Sequence, residues 1–176
     1  MNFRTILFIF TITIVLQSFQ LPKNIQKKVD KEIKMAFEIE SYTLESIHVS
    51  DDINKQLQAK ITLNNFYKII HNNTIIGFAF VDKAPSKADE FDYLVLFDVA
   101  LIIKKAKVLI YREDYGGEIG SKRWLKQFIG KTSKDKLQYR KDIVAISGAT
   151  ISANSMTKAV NDVLKTIKIL HQNKII

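Results

Sequence analysis

Between Tyr93 and Ile103 the chain reads Tyr-Leu-Val-Leu-Phe-Asp-Val-Ala-Leu-Ile-Ile, apolar at odd and even positions alike except at Asp98. Side chains on a strand alternate between its two faces, so a strand apolar on both must be covered on both. The pattern predicts a central strand over 92–103, turned by Lys104-Lys105, with Lys107–Tyr111 pairing back. A buried carboxylate is costly unless it is paired or hydrogen-bonded. Asp98 is therefore expected at the end of the sheet or against a lysine.

The flanking segments supply what must cover that strand. Asn24–Phe37 carries Ile25, Val29, Ile33 and Phe37 at four-residue spacing, one apolar stripe of a helix. Tyr42–Val49 is strand-like, and Asp51-Asp52 is placed to cap a short helix running to Leu57. Phe66–Ile70 and Ile75–Val81 flank Asn72-Asn73, a pair that tolerates the positive φ of a tight hairpin turn. Ala84–Asp89 is a polar loop containing Pro85, and Arg112–Gly120 is a glycine-bearing loop. Ser121 then caps a helix with Trp124, Leu125 and Phe128. From residue 152 onward Met156, Ala159, Val160, Val163, Leu164, Ile167 and Leu170 trace a second helical stripe. Strands followed by helices in this order give an α+β fold, an antiparallel sheet packed by helices.

The N-terminus is organised differently. Arg4 precedes the apolar stretch Ile6–Leu16, which is interrupted by threonines and is shorter than the ~20 residues of a spanning helix. Residues 1–21 are expected to be a signal peptide or a membrane anchor. Gln17–Leu21 holds no small-x-small cleavage triplet, so removal and retention both stay open. Either outcome makes the protein exported, periplasmic or anchored to the outer face of the cytoplasmic membrane. Residues 6–21 would supply any membrane association.

Composition narrows the chemistry. There is no cysteine, which excludes disulfides, thiolate metal sites, iron–sulfur clusters, thioether haem and a lipoprotein anchor. His48, His71 and His171 are scattered, so no metal site is expected. Any redox chemistry must come from a bound organic cofactor. The net charge of +9 is spread along the chain without a nucleic-acid motif, so nucleic acid is not expected as a partner. Neither a nicotinamide fingerprint nor a catalytic acid/base pair stands out, which favours a carrier over an enzyme.

The stretch that carries chemistry is Ser147-Gly148-Ala149-Thr150, placed directly before the last helix. Small residues let backbone approach an anion, and the unpaired N–H groups of a helix start, with the helix dipole, favour a phosphate there. The same residues also suit a Ser/Thr helix cap with a glycine turn.

Ile146–Ser152 resembles the Ser/Thr-Gly-Ala-Thr signature of the FMN-binding domain family. Glu113–Gly120 resembles that family's glutamate-and-glycine loop, and Phe128-Ile129-Gly130 its "QF.G" segment. The family occurs in subunits of sodium-translocating NADH:quinone reductases, in Rnf-type complexes and in small exported flavoproteins. The resemblance spans roughly residues 60–170, which divides the chain into the leader, an extension over 22–58 and an FMN-binding domain over 59–176.

It implies FMN joined to Thr150 by a phosphoester, with Ser147, Gly148 and Ala149 shaping the phosphate turn. Gly116, Gly117 and Gly120 would give backbone access to the flat ring or form a surface loop, Glu118 or Glu113 would hydrogen-bond the cofactor or stay solvated, and Trp124 would wall the ring or pack in the core. The Lys122-Arg123 pair beside the glycine loop either faces water or meets a phosphate or an acidic redox partner. Attachment implies a separate flavin transferase that uses FAD and magnesium and releases AMP. The redox partners would lie in the membrane or outside the cytoplasm.

One position departs from the family pattern. Three residues before the serine, where the family usually has aspartate, stands Val144, and Asp142 lies two residues further upstream. Non-covalent FMN therefore remains an alternative. So do an extracytoplasmic binding or assembly module that has lost its flavin, and a flavin-dependent reductase.

Overall fold

A computed structural model describes residues 21–176. The expected signal or anchor segment lies, except for Leu21, outside the described residues. Among those described, no helix is long and apolar enough to cross a membrane.

Five strands form one antiparallel sheet in the order of the chain: β1 (Thr43–Ser46), β2 (Phe66–His71), β3 (Thr74–Pro85), β4 (Glu90–Asp98) and β5 (Ile103–Ile110). Helix α1 (Lys23–Phe37) covers one face and α4 (Thr150–Gln172) the other, with α2 (Asp51–Gln56) and α3 (Lys122–Leu125) in the connections. The α+β antiparallel architecture read from the sequence is the one observed.

β4 explains the two-layered cover. Tyr93, Val95 and Phe97 point into a core shared with Met156, Val160, Val163, Leu164 and Ile167 of α4. Leu94 and Leu96 point the other way, against Ile25, Val29 and Ile33 of α1. Each of these β4 side chains is at most 1 % exposed. Full burial of a residue of this size stabilises by about 1.5–3 kcal/mol, so the two-faced strand can exist only with both helices in place. The 22–58 extension is continuous with the same sheet, since α1 covers it and β1 pairs with β2.

The strand is shorter than its apolar run predicts. β4 ends at Asp98, and the chain turns through Val99–Ile102, with Leu101 at φ 62°. Lys104 and Lys105, expected at the turn, lie inside β5. The Asp98 carboxylate accepts hydrogen bonds from the backbone N–H of Ala100 (2.9 Å) and Ile102 (3.0 Å). Asp98 therefore sits at the sheet end, as one expectation had it, and makes the turn by its local hydrogen bonding.

Other expected elements are present with small shifts. Asn72 and Asn73 both take positive φ in the β2–β3 turn. Ser50, and not Asp51, is the N-cap residue of α2, which places Asp51 and Asp52 in its first turn, where negative charge suits the helix dipole. Gly77 of β3 is required by packing: a Cβ there would stand 2.6 Å from the Phe37 ring and 2.3 Å from the Phe97 carbonyl oxygen.

Candidate functional site

The 23-residue helix α4 starts at Thr150, and its N-cap residue is Ala149, whose side chain cannot cap. The expected Ser/Thr cap is not made. Ala153 N–H donates to the Ala149 carbonyl at 2.9 Å. The N–H groups of Thr150, Ile151 and Ser152 precede that first helical bond and have no helical acceptor. No acidic residue occupies the first turn. The helix start is thus electropositive, uncapped and ready for an anion.

The turn before it is built for close approach. Ala149 N–H donates to the Ile146 carbonyl at 3.3 Å, and Gly148 takes φ 76° with open space where a Cβ would be. Ser147 and Gly148 are exposed, and Ala149 is buried at 4 % exposure. Thr150 is exposed, and its hydroxyl makes no hydrogen bond among the described residues.

Folding brings the glycine loop onto this turn. Gly116 has φ 77°, and a Cβ on it would lie 2.5 Å from the Ala149 Cβ and 3.0 Å from the Gly148 carbonyl oxygen. The following residues, Gly117–Gly120, wind into one turn of 3₁₀-helix. Gly117 and Gly120 both face open space at the Cβ position, which leaves their backbone accessible.

α3 then fixes the segment leading into the tetrad. Ser121 accepts the Trp124 N–H at 3.2 Å, the expected cap. Trp124 Nε1–H donates to the Val144 carbonyl at 2.7 Å, and Val144 N–H donates to Gln127 Oε1 at 2.8 Å. The Val144 backbone is held from both sides while its side chain faces solvent at 66 % exposure. Trp124, expected to wall the ring, is 4 % exposed and packs edge-on against Phe128 with centroids 5.3 Å apart. What the fold gives Trp124 is a positioning contact beneath the tetrad segment.

The acidic candidates separate. Glu118 is exposed, accepts from the Ser121 hydroxyl at 3.1 Å and lies 3.5 Å from Arg123. Glu113 accepts from Ala88 N–H (2.7 Å) and the Ser86 hydroxyl (2.5 Å), tying the β3–β4 turn to the glycine loop. These hydrogen bonds hold its carboxyl below the usual carboxylate range. Asp142 accepts from Gln138 N–H at 2.8 Å and is engaged in its own turn.

An FMN phosphate needs N–H donors, small residues and room, and the Ser147–Thr150 turn supplies all three. A family-model comparison matches residues 87–165 to the FMN-binding domain. Residues 87–165 belong to the FMN-binding domain family. This match supports an FMN-binding protein, in line with the tetrad resemblance. No curated protein matches the chain.

The matched span of the FMN-binding domain runs from the β3–β4 turn through β4, β5, the glycine loop and α3 into α4. Sequence reading missed three supports of the domain. Gln127 clamps Val144, and its signal was its place at the head of the "QF.G" segment. Tyr111 hydrogen-bonds Ser152 at 3.0 Å, which anchors the first turn of α4 to the end of β5. Asn161 bonds both backbone groups of Leu137, at 2.9 and 2.7 Å, and no local pattern marks it.

Proposed function

We propose that this protein is an exported electron carrier whose FMN is attached through its phosphate to the Thr150 hydroxyl. The observation that carries this reading is an exposed, unengaged hydroxyl on the first residue of an uncapped helix, inside a turn on which Gly116 is seated. A threonine used as a cap would be held by the helix it caps, whereas this one is open to a modifying enzyme.

FMN supplies one- and two-electron redox chemistry when bound. The chain's own residues have other tasks. The free N–H groups of Thr150, Ile151 and Ser152 would hold the phosphate, and the Ser147–Gly148 backbone would let it approach. Tyr111 and Ser152 keep the helix start in register with the sheet. Trp124 and Gln127 fix the lead-in at Val144, and the glycine loop would leave backbone open beside the ring. A phosphoester would retain the cofactor outside the cytoplasm, where lost FMN is not readily recaptured. A separate flavin transferase would make the bond, and membrane-bound or extracytoplasmic proteins would exchange the electrons.

A second reading, non-covalent FMN, is favoured by Val144. Its exposed valine offers a transferase no carboxylate at that position, and the Asp142 carboxylate is already engaged.

Co-expression with a flavin transferase, followed by denaturing electrophoresis under ultraviolet light, separates the two readings. In-gel fluorescence is expected in the wild type, absent in Thr150→Val, reduced in Thr150→Ser and retained in Ser152→Ala. Thr150→Val should leave folding almost unchanged, since the hydroxyl holds nothing in the protein. A wild type that binds FMN in titration but shows no in-gel flavin refutes the phosphoester and leaves the non-covalent reading. Fluorescence that survives Thr150→Val and vanishes in Ser152→Ala moves the attachment by two residues.

A further inference from the structure

On the sheet face opposite α4, α1 and the β1–β2 edge border a half-open cavity of about 850 Å3. That volume lies within the range of about 300–1,000 Å3 typical of small-molecule sites. Leu21, Val29, Leu44 and Leu63 give it an apolar wall. Tyr67 also lines it, is 5 % exposed, and has a buried hydroxyl with no hydrogen-bond partner among the described residues. Such a group costs stability unless something satisfies it.

The remaining lining is polar, with two lysines and one carboxylate, Asp30, in it. Lys23 and Lys27 lie one helical turn apart on α1, and neither forms an ion pair among the described residues. Lys23 is also the first residue of α1, a helix with Pro22 at its N-cap and no acidic residue in its first turn, where Asn24 Oδ1 accepts the Ile25 N–H at 2.9 Å. Asp30, the acidic group in the lining, is paired with Lys34 at 3.2 Å. Tyr42, another residue of the lining, lies close to it.

We infer that this cavity is a second binding site, for a single-chain amphiphile with an anionic carboxylate or phosphate head. The leucine and valine wall takes the chain. Lys23, Lys27 and the N–H groups of Lys23 and Asn24 at the start of α1 take the head, and the Tyr67 hydroxyl donates to a ligand oxygen. Burial pushes that hydroxyl's pKa up to about 12, so it remains a donor at neutral pH. The site is independent of the flavin reading, because it uses the other face of the sheet and none of the tetrad residues.

The test is fluorescence titration of the purified full chain with cis-parinaric acid, which brightens in an apolar site. Saturable enhancement is expected. Displacement by palmitate marks a free acid as the source of the head group, and displacement by lysophosphatidylglycerol marks a lipid. Uncharged hexadecanol should compete about tenfold less well, the size of one charge-assisted contact. Leu44→Trp, which fills the cavity from β1, should abolish the signal. The double reversal Lys23→Glu/Lys27→Glu, confined to exposed positions, should weaken binding by about tenfold or more. FMN titration should be unchanged in both variants, which separates failure here from failure of the flavin reading and reports that the variants fold. Absence of saturable enhancement overturns the proposal. So does equal competition by hexadecanol, or a signal that neither variant alters, which would place the probe on another apolar surface of the chain.

Discussion

Gly116→Ala tests whether the glycine loop is seated on the tetrad. Two costs add. Alanine at φ 77° is in the left-handed region, which disfavours it by about 1–2 kcal/mol. Its methyl would stand 2.5 Å from the Ala149 Cβ and 3.0 Å from the Gly148 carbonyl oxygen. Relieving such an overlap in packed structure costs about 1–3 kcal/mol. The expected destabilisation is about 2–5 kcal/mol, a fall in Tm on the order of 5–20 °C for a chain of this size. Because the displaced atoms belong to the proposed phosphate turn, FMN affinity should fall as well. Thermal melts by circular dichroism and FMN fluorescence titration measure the two effects. Gly117→Ala is the control, since its Cβ meets nothing within 4 Å and its φ is not positive. Ala149→Gly should partly rescue Gly116→Ala by removing the closest clash, although the backbone strain remains. If Gly116→Ala and Gly117→Ala agree within about 0.5 kcal/mol, with FMN affinity equal in both, the loop does not rest on the tetrad and the site is built differently.

Trp124→Phe keeps an aromatic ring against Phe128 but removes the donor to the Val144 carbonyl. It should cost about 1–2 kcal/mol and weaken FMN binding, and unchanged FMN affinity would show that this anchor does not set the tetrad. Glu113 has a depressed folded pKa, so its contribution is present above the ordinary carboxylate pKa and lost as pH falls through the lowered value. The stability gap between wild type and Glu113→Gln should therefore be widest near neutral pH and should narrow toward about pH 3. Melts that keep the gap constant over that range would refute the assignment.

The sequence by itself determined the architecture and the position of the Ser147–Thr150 turn before α4. A strand apolar on both faces admits only a sheet covered twice, and the stripes of α1 and α4 were the available covers. Asn72-Asn73 fixed one hairpin because few residues tolerate positive φ. The end of β4 was not legible in the same way: Val99–Ile102 continues the apolar run, and Asp98 stops it only through hydrogen bonds to N–H groups that the turn itself brings near. The tetrad revealed a phosphate-friendly helix start, since that chemistry is local and resides in four consecutive residues. What the tertiary structure decided is how that turn is supported. Gly116 reaches Ala149, Tyr111 reaches Ser152, and Trp124 and Gln127 grip Val144, all across gaps in sequence that no periodicity encodes. Trp124 is buried beside Phe128 with its indole N–H on the Val144 carbonyl, a contact that no spacing in the sequence announces. Local patterns specify elements because their periods are set by one backbone geometry, whereas contacts between elements depend on how the faces meet.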